Sequence, residues 1–303
     1  MEGKHISIAT QEAKKLIEDR KTGVLTPLVT PWAKLNKALL GGIEFGTLTC
    51  VAGMSSSGKT AFASQLYREL HENNPSQDFI ILFFSFEMPA SKLMIRDAIA
   101  NTEIYREIML SANGNVINIS QEKAIDTYYD SIKDKPIYFI EKPKSSEDYI
   151  KICEEWHNKT GKKIVALSDH SLLFKGAGNG DREMLVDLSK DIMATKNEGW
   201  CSHILLTQLN REIESAARRI PKSPLNYPDQ SCLSSSSSIF QASDYVIIIH
   251  RPYLLKFVGD TYGPDGLPTD IKNLYAHICK NREGETAILS FLADFKHMKI
   301  LNN

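Results

Sequence analysis

Paired cysteine spacing, long apolar runs and a charge bias are all missing from this sequence. Its five cysteines (Cys50, Cys153, Cys201, Cys232 and Cys279) are scattered, with no C-x-x-C pair, which argues against structural zinc and for buried free thiols in a reducing compartment. No stretch of 18 apolar residues occurs, and residues 1–5 are too polar to open a signal peptide, so the expectation is a soluble, non-secreted, cytoplasmic protein with no membrane partner. The 36 Lys and Arg nearly balance the 37 Asp and Glu, leaving a net charge of -1. Any polyanion site must therefore be a local patch. No internal repeat is visible, and 303 residues suffice for one large domain with a substantial core.

What is present is centred on residues 51–60, Val-Ala-Gly-Met-Ser-Ser-Ser-Gly-Lys-Thr. Gly53 and Gly58 bracket four residues before Lys59 and Thr60, the G-x-x-x-x-G-K-[ST] spacing that wraps the phosphates of a nucleotide. Glycines let backbone amides turn inward around an anion, the lysine reaches the β and γ phosphates, and the threonine hydroxyl ligates Mg²⁺. Residues 48–52 lead in as an apolar strand and residues 61–70 lead out with helical periodicity. The expected nucleotide contacts are Gly53, Ser55, Ser56, Ser57, Gly58, Lys59, Thr60 and Ala61.

Along the chain, residues 8–20 read as a short helix with Ile8, Ala9, Ala13, Leu16 and Ile17 on or near one face, followed by a Gly- and Pro-containing connector. That helix either folds back on its own domain or docks on a neighbouring subunit. The division expected is residues 1–24 as linker helix and connector and residues 25–303 as the main domain. Residues 79–86 form an apolar strand ending at Glu87, and Pro89 opens a helix through Ala100. Residues 101–135 suggest two short helices around Asn113-Gly114-Asn115. Strands are expected at 136–140, at 163–169 ending in Asp169, at 202–207 before Gln208, and at 244–250. Helices are expected from Ser145 to about 158 and from Arg182 to 198, with a mobile three-glycine loop at 175–181. The alternation implies a mainly parallel twisted sheet with helices on both faces. Residues 209–238, with Arg211, Arg218, Arg219, Lys222 and three prolines, interrupt it as a long loop of functional or disordered type. A hairpin at 274–280 and 286–292 ends the pattern.

An acid closing a strand downstream of a phosphate loop is the usual second half of a Mg²⁺–nucleotide site, which makes Asp169 the metal candidate beside Thr60. Glu87, beyond the end of its strand, is placed to polarise a water. The neutral amide of Gln208 suits sensing of the γ phosphate.

Together these segments resemble the ATPase domain of the hexameric, DnaB-like replicative DNA helicases, with a RecA-like P-loop core. The resemblance runs from about residue 25 onward. It rests on Gly41-Gly42, the phosphate loop, residues 84–88 (Phe-Ser-Phe-Glu-Met), Asp169, residues 207–211 (Thr-Gln-Leu-Asn-Arg), residues 238–244 (Ser-Ile-Phe-Gln-Ala-Ser-Asp), and Lys280-Asn281-Arg282 with Gly284. The Asp-His-Ser-Leu-Leu at 169–173 is closer to the phage primase-helicase form. The resemblance implies ATP and Mg²⁺ as cofactors, Glu87 as catalytic base, Gln208 as γ-phosphate sensor, and Lys280 and Arg282 as a finger pair reaching the neighbouring subunit's site. It also implies a ring-forming motor on single-stranded DNA in a bacterial or phage-infected cell, with primase or other replisome proteins as partners. Lys175, Arg182, Arg211, Arg218, Arg219 and Lys222 are the expected DNA contacts. His170 reads as either a polar contact near the site or a packing residue. Two other functions fit the same motifs: a RecA-like recombination or branch-migration ATPase, and a helicase-like subunit that uses nucleotide only to assemble.

Overall fold

The computed structural model describes residues 3–112, 116–142, 144–171, 174, 180–233, 237–257 and 261–303. In chain order, the helices are α1 (Ile6–Lys21), α2 (Ala33–Ala38), α3 (Lys59–Asn73), α4 (Ala90–Thr102), α5 (Arg106–Met109), α6 (Ile119–Ile132), α7 (Ser146–Thr160), α8 (Asp181–Lys196) and α9 (Ser237–Ala242). The strands are β1 (Leu48–Gly53), β2 (Phe79–Ser85), β3 (Ile137–Ile140), β4 (Lys163–Asp169), β5 (Cys201–Gln208), β6 (Tyr245–His250), β7 (Thr261–Tyr262), β8 (Leu267–Pro268), β9 (Asn273–Asn281), β10 (Ala287–Asp294) and β11 (Lys299–Asn302). Among the described residues, nine strands make one sheet in the order β11-β10-β9-β6-β1-β5-β4-β2-β3. From β3 to β6 every pairing is parallel, and from β6 to β11 every pairing is antiparallel.

Strands buried on both faces need apolar residues at every position, and the two-residue period then sorts them between two cores. Cys50, Ala52, Leu82 and Phe84 face one layer with Tyr149 of α7 and Leu185, Leu188 and Ile192 of α8. Val51, Ile81, Phe83 and Leu206 face the other with Phe62, Leu66 and Leu70 of α3. Trp32 stacks on Phe62 with ring centroids 4.2 Å apart, and its indole N–H donates to the Ile300 carbonyl at 3.0 Å. Gln65 accepts from Ile300 N at 2.9 Å. These two contacts hold β11 on the sheet edge. Sequence periodicity does not reveal that strand, because only Ile300 of its four residues is buried.

The hairpin expected at 274–292 is present as β9 and β10. The second helix expected before residue 135 is not short: α6 has 14 residues, opened by a reciprocal capping box between Asn118 and Gln121. Asn113, Gly114 and Asn115 and most of the expected glycine loop, 175–179, lie outside the described residues. Helix α1 has no buried residue, and its apolar Ile6, Ile8, Leu16 and Ile17 are all exposed. Its Arg20 pairs with Glu44 of the main body.

Burial also sets how folding couples to protons. His71 is lowered to about 4 and His203 and His250 to about 3, each mainly by burial, and His277 is lowered for the same reason. The unfolded chain protonates these rings near the ordinary 6.5, so stability is lost as pH falls below that value. Asp97 and Asp169 are pushed up to about 6, first by burial, and keep protons that the unfolded chain would release, which opposes the trend below about pH 6. Four groups outweigh two, so denaturant midpoints are expected to fall steadily from about pH 7 to about pH 5. A flat or rising profile across that interval would contradict this balance.

Candidate nucleotide site

Four neighbouring parallel strands carry their last residues to one edge of the sheet. Gly53 at the end of β1 lies opposite Gln208 at the end of β5, and Asp169 at the end of β4 lies opposite Ser85 at the end of β2, two residues before Glu87. Ligands in open α/β sheets bind in the crevice beyond these carboxyl ends. A cavity of about 700 Å³ occupies that place, lined by the phosphate loop together with Glu87, His170 and Gln208.

The loop is built for close backbone approach. A Cβ on Gly53 would lie 2.4 Å from Ser57 Oγ and 2.8 Å from the Ile249 carbonyl, so only glycine fits. Gly58 caps α3 with φ of 103°, which favours glycine and turns the helix N-terminus toward the loop. Lys59 Nζ donates to the Gly53 and Met54 carbonyls at 2.7 and 2.9 Å, where phosphate oxygens would compete as acceptors. Burial lowers its pKa, while Asp169 and Glu87 favour the charged form. Thr60 Oγ1 donates to Asp169 Oδ2 at 3.1 Å. Asp169 Oδ1 and Ser57 Oγ are buried and without a partner among the described residues. Asp169 is pushed up to about 6, first by burial and then by the nearby charge of Glu87. A hydroxyl, an unsatisfied carboxylate oxygen and an anion-shaped loop are the donor set of a Mg²⁺–triphosphate, so these residues fit both groups.

Glu87 sits on a short elbow. Ser85 Oγ donates to the Met88 carbonyl, and Glu141, just after β3, accepts from Ala90 N at 2.6 Å, capping α4. His170, read from sequence as either a polar contact near the site or a packing residue, lines the cavity, and its Nδ1 is buried without a partner among the described residues.

Sequence reading does not find four further cavity residues, Arg96, Arg106, Arg251 and Phe295. Arg251 follows β6 directly, so the strand-end rule that finds Asp169 and Gln208 could have found it. Its guanidinium lies 4.5 Å from the centre of the Phe295 ring and donates to the Ser56 carbonyl of the phosphate loop at 3.2 Å. Phe295 comes from the turn after β10, and nothing local in the sequence marks it.

The expected finger pair lies elsewhere. Arg282 N donates to the Asp244 carbonyl at 3.0 Å, and Asp244 N to the Leu48 carbonyl at 2.8 Å, which places Arg282 at the amino end of β1. Five residue steps along β1, about 16 Å, separate that level from Gly53. Arg282 Nη1 pairs with Asp244 Oδ1 at 3.1 Å, and its side chain is 48% exposed. Lys280 Nζ donates to the Phe240 and Gln241 carbonyls at 2.8 and 2.9 Å.

Of the expected DNA contacts, Arg211, Arg219 and Lys222 are exposed on a loop made of short 3₁₀ turns. Arg218 departs from expectation. It is only 4% exposed and donates to the Leu225 and Tyr227 carbonyls, Asp229 and Ser231. A buried guanidinium with these partners organises the loop and is not offered to a phosphate backbone. Lys175 and the Arg182 side chain lie outside the described residues, as do Ser234, Ser235 and Ser236.

Residues 28–302 match the family described as DnaB-like helicase C terminal domain. Replicative DNA helicase DnaB of Pasteurella multocida (strain Pm70) is 26% identical over 233 residues, covering 75% of this chain and 47% of that protein. DnaB of Mycoplasma pneumoniae (strain ATCC 29342 / M129 / Subtype 1) is 29% identical over 228 residues, covering 70% and 44%. The match thus spans under half the length of either protein. Among solved structures, an isolated ATPase domain superposes with a TM-score of 0.82 at 18% identity, covering all of both chains. A DnaB-like replicative helicase, solved in work on its interactions with primase, gives 0.80 at 17% identity, covering all of this chain and 68% of that one. The fold is accordingly the RecA-like P-loop core.

Two substitutions separate binding from turnover here. Lys59→Ala should abolish triphosphate binding, whereas Glu87→Gln should bind normally and turn over about 10² to 10⁴ times more slowly. Equilibrium titration with a fluorescent nucleotide, paired with phosphate release, reads both. Undiminished hydrolysis by Glu87→Gln would remove Glu87 from the role of base.

Proposed function

The chain belongs to the DnaB-like helicase C-terminal domain family, and from that premise we propose that it is an ATP-hydrolysing ring motor that translocates on single-stranded DNA and unwinds duplex. The observation that carries this reading is the division of the sheet into two ends. The phosphate loop, Glu87, Asp169 and Gln208 share the carboxyl end, while Lys280 and Arg282 sit at the amino end, beyond reach of their own loop. An arginine so placed serves a neighbour's γ phosphate, and a ring supplies a neighbour at every site.

In this reading ATP lies in the cavity, with its phosphates against Lys59 and its base against the Arg251–Phe295 stack. Mg²⁺ would be held by Thr60 and Asp169 and would neutralise charge on the transferred phosphate. Glu87 orients and deprotonates the attacking water, and Gln208 contacts the γ phosphate. Leu209, the next residue, donates to the Gly53 carbonyl at 3.2 Å, so the DNA loop starts at the phosphate loop itself. Arg211, Arg219 and Lys222 would follow the DNA backbone, together with Lys175 and with Arg182 at the start of α8. Residues 1–24, with the exposed apolar face of α1, would dock on an adjacent subunit, and residues 25–303 form the motor. Primase or other replisome proteins are the partners we infer, in the cytoplasm of a bacterial or phage-infected cell. Among the described residues no helix is long and apolar enough to cross a membrane.

Displacement of a labelled strand from forked DNA, dependent on ATP, is the expected result. Hydrolysis without displacement would favour the assembly-subunit reading, and joint-molecule formation the recombinase one. Replacing Arg211, Arg219 and Lys222 together by alanine should weaken binding to every single strand and reduce the salt slope by roughly 0.7 per lost contact. An unchanged slope would return these side chains to the solvated surface.

A further inference from the structure

The insertion between β6 and β9 is bound to those two strands through one buried hydroxyl. Tyr262 of β7 is fully buried, and its Oη lies 2.7 Å from His250 Nδ1 and 2.7 Å from His277 Nε2. Those histidines sit on the adjacent antiparallel strands β6 and β9. One hydroxyl supplies one proton, so it donates to one ring and accepts an N–H from the other, which couples the tautomer of one histidine to that of the other. Both rings are neutral, so no charge is buried in the chain of three.

On its outer side the Tyr262 ring meets Tyr227 of the loop, edge to face, with centroids 4.9 Å apart. Gly263 N donates to Asn226 Oδ1 at 3.0 Å, and Asn226 in turn donates to the Arg218 and Ile220 carbonyls. Tyr227 Oη donates to Asp265 at 2.8 Å. A Cβ on Gly263 would fall 2.0 Å from the Tyr227 ring, so the two segments interlock. On its inner side the chain runs from His250 straight into Arg251, which holds the phosphate loop at Ser56 and the Ile271 carbonyl at 3.0 Å.

We propose that Tyr262 is a positioning residue that clamps the 209–233 loop to the strand end bearing Arg251, so that DNA held by the loop accelerates hydrolysis at the phosphate loop. The coupling half of this inference rests on the motor reading above, and the clamping half does not. A link of this kind is established only by measured coupling, and Tyr262→Phe removes the hydroxyl while keeping the ring. The expected result is basal turnover and KM for ATP within about twofold of wild type, with the stimulation by saturating single-stranded DNA reduced by about fivefold or more. Hydrogen exchange without DNA should show faster exchange at the Asn210, Arg218 and Cys232 amides and unchanged protection in β1 and β4. Full stimulation together with full loop protection would overturn the proposal. So would an equal loss of basal and stimulated turnover, which marks a purely structural role. Tyr227→Phe, which releases Asp265 from the loop side, gives the same two readouts and decides the matter if Tyr262→Phe does not fold. A wild-type protein that DNA fails to stimulate would sink the motor reading, and the exchange data would still decide the clamp.

Discussion

One buried carboxylate fixes the amino end of the sheet. Asp244 accepts from Leu48 N at 2.8 Å and Lys196 Nζ at 2.7 Å through Oδ2, while Oδ1 pairs with Arg282 at 3.1 Å. It thereby joins the start of β1, the end of α8, the start of β6 and the end of β9. A carboxylate this buried is tolerable only with full pairing, and losing one partner would leave an uncompensated charge. The geometry of β1 follows from this anchor, and with it the position of the phosphate loop at the strand's other end.

The two ends of the sheet have opposite needs. At the carboxyl end, hydrogen-bonding capacity is left unspent: Asp169 Oδ1 and Ser57 Oγ have no partner among the described residues, and the Lys59 ammonium is held only by two neutral carbonyls that a phosphate can replace. At the amino end Asp244 is paired through both of its oxygens, and Arg282 uses one nitrogen of its planar fork in a half-exposed pair. The remaining donors of that fork can still turn to phosphate.

Much of this is legible in the sequence because strand ends can be read from apolar runs. Asp169 and Gln208 fall at such ends, and Glu87 just beyond one, so periodicity alone brings them near the phosphate loop. Arg251 obeys the same rule but is masked by the turn-rich residues after it. Phe295 and Tyr262 are not legible, since their positions depend on antiparallel pairing and on packing between segments distant in sequence. Arg218 shows the converse limit: a basic residue in a basic loop looks solvated, and only the four acceptors folded around it show that it is structural. The apolar residues of α1 read as one face of a helix, yet among the described residues of the single chain nothing covers them.

That the catalytic site is divided between subunits is tested most directly by mixing Glu87→Gln and Arg282→Ala proteins, each inactive alone, and following hydrolysis against the mixing ratio. Mixed interfaces pair an intact Glu87 with an intact Arg282, so activity should reappear and peak at intermediate ratios. An Arg282→Ala protein that hydrolyses ATP normally, or confirmed mixed oligomers that stay inactive, would contradict a shared site.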